Sequence, residues 1–301
     1  FYTTWRKTLH QPHEITIRNH LFQWGSRTYV MGILNMTPDS FSGDGLQTGD
    51  DPLTSAIKQA RQFIEAGADI IDVGGESTRP GSDRVNVGDE LARVLPVIES
   101  LRAEFDIPIS IDTYKAEVAE AALNAGADMI NDVWAFRADP GIARVASQYW
   151  VPVILMHNRS NPRSLELSDR LGGRYSGVEY NDLIADIKAE LMQSVDLAHQ
   201  SGIPDQLIIL DSGIGFGKTT AQNLELLDRS DEIRALGYPL LVGSSRKSFI
   251  GYTLDLPTED RVEGTAATVA VAIVRGADIV RVHDVEHMVR VARMTDAIVR
   301  R

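Results

Sequence analysis

Short apolar runs alternate with longer amphipathic segments along most of this chain. The apolar runs are nearly continuous, which is typical of parallel strands that are buried on both faces. The segments between them, such as DELARVLPVIESLRAEF, carry apolar residues at helical spacing. This pattern predicts strands at 29–34, 69–73, 108–111, 128–130, 151–156, 207–210, 239–242 and 279–282.

Three similar stretches mark the junction between a helix and the strand that follows it. They read EAGADIIDV (65–73), NAGADMIND (124–132) and VRGADIVRV (274–282). Gly67, Gly126 and Gly276 occupy the position just after a helix end, where positive φ favours glycine. The repeated junction indicates a regular alternation of helices and strands.

Eight strands that alternate with helices predict an α/β fold, a (β/α)8 TIM barrel. A doubly wound open sheet is the alternative at this level. Residues 14–24, EITIRNHLFQW, are predicted to form a short hairpin that closes the bottom of the barrel. We assign 29–301 to one barrel domain and 1–28 to an N-terminal tail and hairpin, for which a linker from a longer chain is one interpretation.

Composition narrows the classes of function. The 301 residues carry a formal net charge of -12 and contain no cysteine. Disulfides, thiolate nucleophiles and cysteine-based zinc sites are therefore excluded, and a reducing, cytoplasmic location is expected. The acidic balance argues against general nucleic-acid or membrane binding, and no apolar run approaches the roughly 20 residues that span a bilayer. An anionic ligand must therefore meet a local cationic site.

Polar residues follow nearly every predicted strand, where a barrel places its active site. Exposure of loops to solvent is enough to explain many of these polar residues one by one. It explains Asp112, Asn131 and Asp211 less well, because burying a polar side chain in a barrel mouth without a hydrogen-bond partner is costly. Cations cluster on one side of the predicted mouth. The arrangement predicts a ligand with a hydrogen-bonding heterocycle at one end and an anion at the other. The strand-end residues are Asn35, Glu76, Ser77, Thr78, Arg79, Asp112, Asn131, His157, Asp211, Arg246, Lys247, Arg281 and His283.

A second motif, GIGFGKTT (213–220), resembles a nucleotide-binding P-loop. Ser212 stands where the first glycine of that motif belongs, so we interpret the stretch as a glycine-rich turn where backbone approaches a ligand. His157 and His283 are isolated from matching carboxylates. We therefore interpret them as hydrogen-bonding or phosphate-facing residues, not as metal ligands.

From about Tyr29 to its end the chain resembles the dihydropteroate synthase family. Six motifs in order carry the resemblance: GILNMTPDSFSGDG (32–45), GADIIDVGGESTRPG (67–81), ISIDTYKAEVAEAALNAGADMIND (109–132), LIILDSGIGFGK (207–218), GSSRKSFIG (243–251) and RVHDV (281–285). Three positions depart from the usual pattern: Ser212 for proline, FSGDG for FSDGG, and Asn158 after His157.

The resemblance implies a cytoplasmic, Mg²⁺-dependent enzyme of folate synthesis. Such enzymes join 6-hydroxymethyl-7,8-dihydropterin diphosphate to para-aminobenzoate and release pyrophosphate, through a pterin cation. Its pterin site would contain Asp112, Asn131, Asp211 and Lys247. Its diphosphate site would contain Asn35, Arg79, Arg281 and His283, with Mg²⁺ near Asn35, and its para-aminobenzoate pocket would contain Thr78, Pro80, Phe216 and Ser248. Met156 and Phe41 would also bind substrate, and Phe41 would lie with Asp39 on a loop that closes over the site. Asp39, Arg79, Lys247 and Arg281 would be the catalytic residues.

Two other functions share this pattern in part. A methyl-folate-binding module that serves a corrinoid partner, or a non-catalytic barrel, has no need of the cationic STRPG and SRKS loops. The resemblance also favours a homodimer. The small-residue segment 265–278 is interpreted either as the inner face of a barrel helix or as part of a dimer interface.

Overall fold

Eight parallel strands form a closed barrel. The structure is a computed structural model, and it describes residues 14–37, 51–77, 82, 84–176 and 178–300. After a hairpin of β1 (Ile15–Ile17) and β2 (His20–Phe22), the barrel order is β10-β11-β12-β3-β4-β5-β6-β7. Its strands are β3 (Tyr29–Asn35), β4 (Ile70–Gly74), β5 (Ile109–Asp112), β6 (Met129–Asp132), β7 (Val153–Met156), β10 (Ile208–Asp211), β11 (Leu240–Val242) and β12 (Ile279–Val282).

Helices follow the barrel strands and cover their outer faces. They are α1 (Pro52–Ala66), α2 (Val87–Glu104), α3 (Ala116–Asn124), α4 (Gly141–Tyr149), α5 (Leu183–Gln200), α6 (Thr220–Asp228), α7 (Ser230–Arg234), α8 (Ser248–Leu254), α9 (Val262–Val274) and α10 (Val285–Val299). A small hairpin of β8 (Leu165–Glu166) and β9 (Arg174–Tyr175) lies in the connection after β7. The predicted (β/α)8 barrel is confirmed, and closure of the sheet excludes the doubly wound alternative.

The strand ends differ from the prediction in one consistent way. Five strands extend past the apolar run to include Asn35, Gly74, Asp112, Asp132 and Asp211. Ladder pairing explains this extension, because Asn35 pairs with Gly74 and Gly74 pairs with Asp112. The polar residues therefore belong to the barrel wall, which fixes their backbones more firmly than a loop would.

The N-terminal hairpin closes one end of the barrel, as predicted. Ile17, Phe22 and Trp24 pack against the inward-facing ring of apolar residues at the strand beginnings. The Phe22 and Tyr29 ring centroids are 4.6 Å apart, and Trp24 meets Tyr29 edge-on. This end is therefore sealed by apolar packing, and a ligand must enter at the opposite end. The ring contains Tyr29, Met31, Ile70, Met129, Ile154, Ile209, Leu241 and Ile279.

Candidate active site

Strand alternation turns the barrel interior from apolar to polar within two residues. Side chains two positions apart on a strand face the same side. The inward ring that holds Ile70, Met129, Ile209 and Ile279 is therefore followed, nearer the mouth, by a polar ring. That ring contains Asp72, Asn131, Asp211 and Arg281, with Asp112 beside them at the end of β5.

Arg281 is held between two carboxylates at the centre of this ring. Its Nε donates to Asp72 Oδ2 at 2.5 Å and its Nη2 donates to Asp112 Oδ2 at 2.6 Å. Burial lowers the pKa of Arg281, but Asp72 and Asp112 together raise it above its ordinary value. Arg281 is thus a fixed cation, and no described residue accepts a hydrogen bond from its Nη1.

Asn131 joins the same cluster through Asp72. Its Nδ2 donates to Asp72 Oδ2 at 3.1 Å, and both side chains are buried. Asp112 keeps its second oxygen, Oδ1, buried and without a hydrogen-bond partner in the described part of the chain. An unsatisfied buried acceptor is costly, so this oxygen marks a position for a ligand donor.

Burial brings the protonation equilibria of the site close to neutral pH. Desolvation raises the pKa of Asp112 to about 7, against the attraction of Arg281 and with added repulsion from Asp72. Burial likewise lowers the pKa of Lys247 to about 8, although Asp211 opposes this shift. Burial also raises the pKa of Asp211. Such shifts are characteristic of groups that bind or react with a ligand.

Lys247 reaches the site from the start of α8. Its ammonium donates to the carbonyl oxygen of Ile214 and lies 4.5 Å from the centroid of the Phe216 ring. Ser248 is the first residue of α8, so it stands beside Lys247 at the same edge of the mouth. Lys247 of the predicted pterin site therefore lies beside Phe216 and Ser248 of the predicted para-aminobenzoate pocket.

The neighbouring cation, Arg246, forms an ion pair with Asp284. Its Nε donates to Asp284 Oδ2 at 2.9 Å and its Nη2 to Asp284 Oδ1 at 2.5 Å. It therefore fastens the loop after β11 to the residue that precedes α10. Lys247, the second of the two cations in VGSSRKSF, is attracted by the charge of Asp211.

The glycine-rich turn packs closely against other parts of the protein. A Cβ on Gly213 would overlap the carbonyl of His157, one on Gly217 would overlap the backbone of Arg159, and one on Gly215 would lie 2.8 Å from Lys247 Cδ. The interpretation that backbone approaches a ligand here stays a prediction. Lys218, which would bind phosphate in a P-loop, is buried. It donates to the carbonyls of Gly213 at 2.8 Å and Phe216 at 3.0 Å.

His157 belongs to this internal scaffold. Its Nδ1 is 2.9 Å from the Lys218 ammonium, and its Nε2 lies 3.1 Å from Glu190 Oε2. Burial lowers the pKa of His157 to about 3, so the imidazole is neutral. The hydrogen-bonding interpretation of His157 is confirmed.

Glu76, at the end of β4, is likewise used within the protein. Its carboxylate accepts from the Tyr114 hydroxyl at 2.7 Å and pairs with Lys115, which also pairs with buried Glu90. This cluster ties the beginning of the loop after β4 to α2 and to the loop after β5.

Comparison with known proteins decides the family. Residues 31–283 match the family described as pterin binding enzyme. A dihydropteroate synthase of Clostridium beijerinckii is 51% identical over 281 residues, which cover 93% of this chain and 97% of that protein. This chain belongs to the dihydropteroate synthase family. It is therefore an enzyme, a transferase.

Solved structures of dihydropteroate synthases agree in fold. The enzyme from Clostridium difficile, in the presence of pteroic acid, has a TM-score of 0.83 and 48% identity, covering 93% of this chain and all of that one. The enzyme from Xanthomonas albilineans with 4-aminobenzoic acid has a TM-score of 0.85 and 38% identity, covering 95% and 98% of the two chains.

The structure brings together many of the residues that the dihydropteroate synthase pattern predicts. Asp112, Asn131, Asp211, Lys247 and Arg281 form one cluster, and Met156 pairs with Asp211 across β7 and β10. Asn35 ends β3, and His283, just after β12, has its Nδ1 3.1 Å from Ser245 Oγ. Asp39, Phe41, Thr78, Arg79 and Pro80 lie outside the described residues.

Sequence reasoning missed Asp72. It stands inside the apolar run IIDVG and was treated as part of a buried strand. The signal was present, because a carboxylate within such a run must be paired, and Arg281 interrupts IVRV in the same way on β12. Asp72 and Arg281 carry opposite charges on β4 and β12, the two strands that flank β3, so comparing these strands would have identified the pair.

Proposed function

We propose that the chain joins 6-hydroxymethyl-7,8-dihydropterin diphosphate to para-aminobenzoate, giving 7,8-dihydropteroate and pyrophosphate. One observation supports this most directly. The hydrogen-bond acceptors Asp112, Asn131 and Asp211 lie together at the barrel mouth, and the cations Arg281 and Lys247 lie beside them. A pterin presents adjacent amino and ring N–H donors, which such acceptors suit. Each charge-assisted hydrogen bond would contribute about 1.5–3 kcal/mol.

The reaction requires that a C–O bond to the diphosphate breaks and that a C–N bond to the arylamine forms. The electron-rich dihydropterin can stabilise the intermediate carbon cation, so the protein's main task is to stabilise the departing negative charge. Arg281 supplies a fixed guanidinium for this purpose, since Asp72 and Asp112 hold two of its nitrogens. The amine nitrogen then loses a proton to solvent, and no covalent nucleophile is needed.

Lys247 and Phe216 would serve the second substrate as well as the first. The flat Phe216 face, with the Lys247 ammonium 4.5 Å from its centroid, offers an aromatic and cationic wall for an arylamine carboxylate. Ser248 adds a hydroxyl and a backbone N–H at the beginning of α8. Binding of 4-aminobenzoic acid to the Xanthomonas albilineans relative supports this part of the proposal.

A magnesium ion is part of the proposed reaction. In the described part of the chain no three His, Asp or Glu side chains form a metal cluster, whereas Asn35 offers one half-buried amide oxygen at the mouth. Mg²⁺ usually keeps several waters and binds through one or two protein oxygens plus substrate phosphates. The donor set therefore fits an ion that arrives with the diphosphate, where it would supply further charge stabilisation.

We also propose that the chain is a homodimer in the cytoplasm. Val271 and Val274 on α9 and Met294 and Ile298 on α10 are 41%, 58%, 64% and 53% exposed, and the two helices pack side by side. An exposed apolar patch of this kind is typical of a protein interface. Among the described helices none is long and apolar enough to cross a membrane.

The test is pyrophosphate release from the dihydropterin diphosphate with Mg²⁺, measured with and without para-aminobenzoate. Release that depends on the amine, together with formation of dihydropteroate, is the expected result. Tight pterin binding without release would instead favour the methyl-folate-binding module, and it would contradict the proposed reaction.

A further inference from the structure

Asp72 is a fully buried carboxylate of the site. It faces into the barrel from β4, and its side chain has no exposed surface. Nevertheless its Oδ2 accepts from Arg281 Nε at 2.5 Å and from Asn131 Nδ2 at 3.1 Å. One buried oxygen thus contacts two residues that are placed to bind the pterin and its diphosphate.

The contact with Asn131 fixes which end of the amide faces the ligand. An ionised carboxylate only accepts hydrogen bonds, so the NH₂ end of Asn131 must turn toward Asp72. The carbonyl oxygen of Asn131 is left without a hydrogen-bond partner among residues that the structure describes. Asn131 is therefore presented to the mouth as an acceptor, which is the polarity that a donor-rich heterocycle requires.

The contact with Arg281 protects the acceptor capacity of Asp112. Because Asp72 occupies Nε, the guanidinium engages Asp112 through Nη2 alone and uses only Oδ2 of that carboxylate. Asp112 Oδ1 stays buried and unpaired. Without Asp72, Arg281 could turn and take both oxygens of Asp112 in a two-pronged pair, which is the preferred geometry between these groups.

We propose that Asp72 is a positioning residue that sets the hydrogen-bond polarity of the heterocycle site. It turns Asn131 so that its carbonyl faces the ligand, and it restrains Arg281 so that Asp112 keeps a free oxygen. The specificity for a heterocycle edge rich in N–H donors is decided by a buried carboxylate behind the groups that touch it. This inference rests on the proposed function.

The test compares Asp72→Asn with a matched control, Asp278→Asn. Asp278 is also buried and paired with an arginine, Arg234, but it lies just before β12, at the apolar end of the barrel. The probes are 6-hydroxymethylpterin and 6-hydroxymethyllumazine, in which an oxo group replaces the 2-amino donor. Affinities are measured by calorimetry, and KM values for the diphosphate and for para-aminobenzoate are measured separately.

In Asp72→Asn the amide can donate as well as accept, so Asn131 and Arg281 lose their fixed orientation. We expect pterin affinity to fall about tenfold or more, because small misplacements in a site have large effects. The preference for pterin over lumazine should shrink, and the KM for para-aminobenzoate should stay within about twofold of its original value. Asp278→Asn should unfold at a lower temperature and keep the original affinities and preference.

Equal losses for pterin, lumazine and para-aminobenzoate in folded Asp72→Asn would overturn the proposal, since they would show general loosening. Unchanged pterin affinity and preference would overturn it too. If Asp72→Asn does not fold, Arg281→Gln is compared with Asp72→Asn/Arg281→Gln, in which Asp72 no longer leaves a buried charge without its arginine. The double variant should lose preference for pterin beyond Arg281→Gln, and equal preference in the two would contradict the inference.

These outcomes are separate from failure of the proposed function. An unmodified protein that binds neither pterin nor its diphosphate would refute the function itself. An unmodified protein that binds and reacts, with Asp72→Asn indistinguishable from it, would refute only the role of Asp72.

Discussion

At the scale of single residues, the site depends on charges that are buried together and do not cancel completely. Arg281 pairs with two carboxylates and its pKa is raised, whereas burial lowers the pKa of Lys247 against the attraction of Asp211. Burial dominates the shifts of both Asp112 and Lys247, so both groups titrate near neutrality. Shifted pKa values at the ends of barrel strands are typical of functional sites.

Replacing Lys247 with methionine should lower kcat/KM on the order of a hundredfold, the usual cost of removing one fixed donor from an active site. The fold should persist, because methionine has a similar shape and introduces no new buried charge. Steady-state kinetics and circular dichroism check this. Lys58→Met, on the exposed face of α1, is the control. Kinetics like those of the control in Lys247→Met would contradict the placement of Lys247, and the same test applies to Arg281→Ala.

The pH dependence of kcat/KM should follow Asp112 and Lys247. Only ionised Asp112 is a full acceptor, so activity should rise as pH increases through about 7. Only protonated Lys247 is a cation, so activity should fall as pH increases through about 8. A narrow maximum between these values is expected. In Asp112→Asn the acidic limb should disappear from the profile, and an unaltered acidic limb would assign it to another group.

At the scale of elements, the turn after β10 is a rigid scaffold for Phe216. Lys218, buried beneath it, donates to the carbonyls of Gly213 and Phe216, while His157 supplies a third acceptor. An ammonium has three donors, so the three partners match it. The sequence predicted a glycine-rich turn correctly. Gly213 and Gly217 approach the loop after β7, and Gly215 approaches Lys247.

Gly213→Ala should destabilise the protein by about 3 kcal/mol or more, since it combines strained backbone with steric overlap. Gly213 has φ +69, and a Cβ there would overlap the carbonyl of His157. Gly237→Ala is the control, because Gly237 has φ +98 but nothing within 4 Å of a Cβ. It should cost only about 1–2 kcal/mol, the penalty of a left-handed backbone. Urea unfolding measures both, and equal costs would refute the proposed close contact.

At the scale of the whole molecule, α9 serves two surfaces. Thr265, Val269, Ala272 and Ile273 face the barrel, so the interpretation of this segment as an inner helix face is confirmed for them. Val271 and Val274 face outward beside α10. The alternative interpretation, a dimer interface, concerns these other positions and stays a prediction.

The variant Val274→Lys/Met294→Lys should be a monomer if this patch forms the dimer interface, because two buried lysines would oppose association. Light scattering after gel filtration measures the mass of the variant and of the original protein. Leu197→Lys on α5, where the leucine is 41% exposed, is the control and should keep the original mass. A dimer that persists in the double variant would place the interface elsewhere.

The sequence by itself determined the barrel and the chemical inventory of its mouth. Periodicity of apolar residues specifies strand and helix locally, and the residue that follows each strand is fixed by chain order. That is why Asp112, Asn131, Asp211, Lys247 and Arg281 were predicted together. The predicted ends of β3 and β10 each fall one residue before the observed ends, Asn35 and Asp211, because strand pairing continues beyond the last apolar residue.

Only the tertiary structure decided which charges meet. Asp72 and Arg281 are far apart in sequence and become partners because β4 and β12 both flank β3 in the closed barrel. The same closure pairs Arg246 with Asp284 and directs Lys247 toward Asp211. The energy of an ion pair depends on the distance between the two charges and on their burial, and both are set only when the barrel closes.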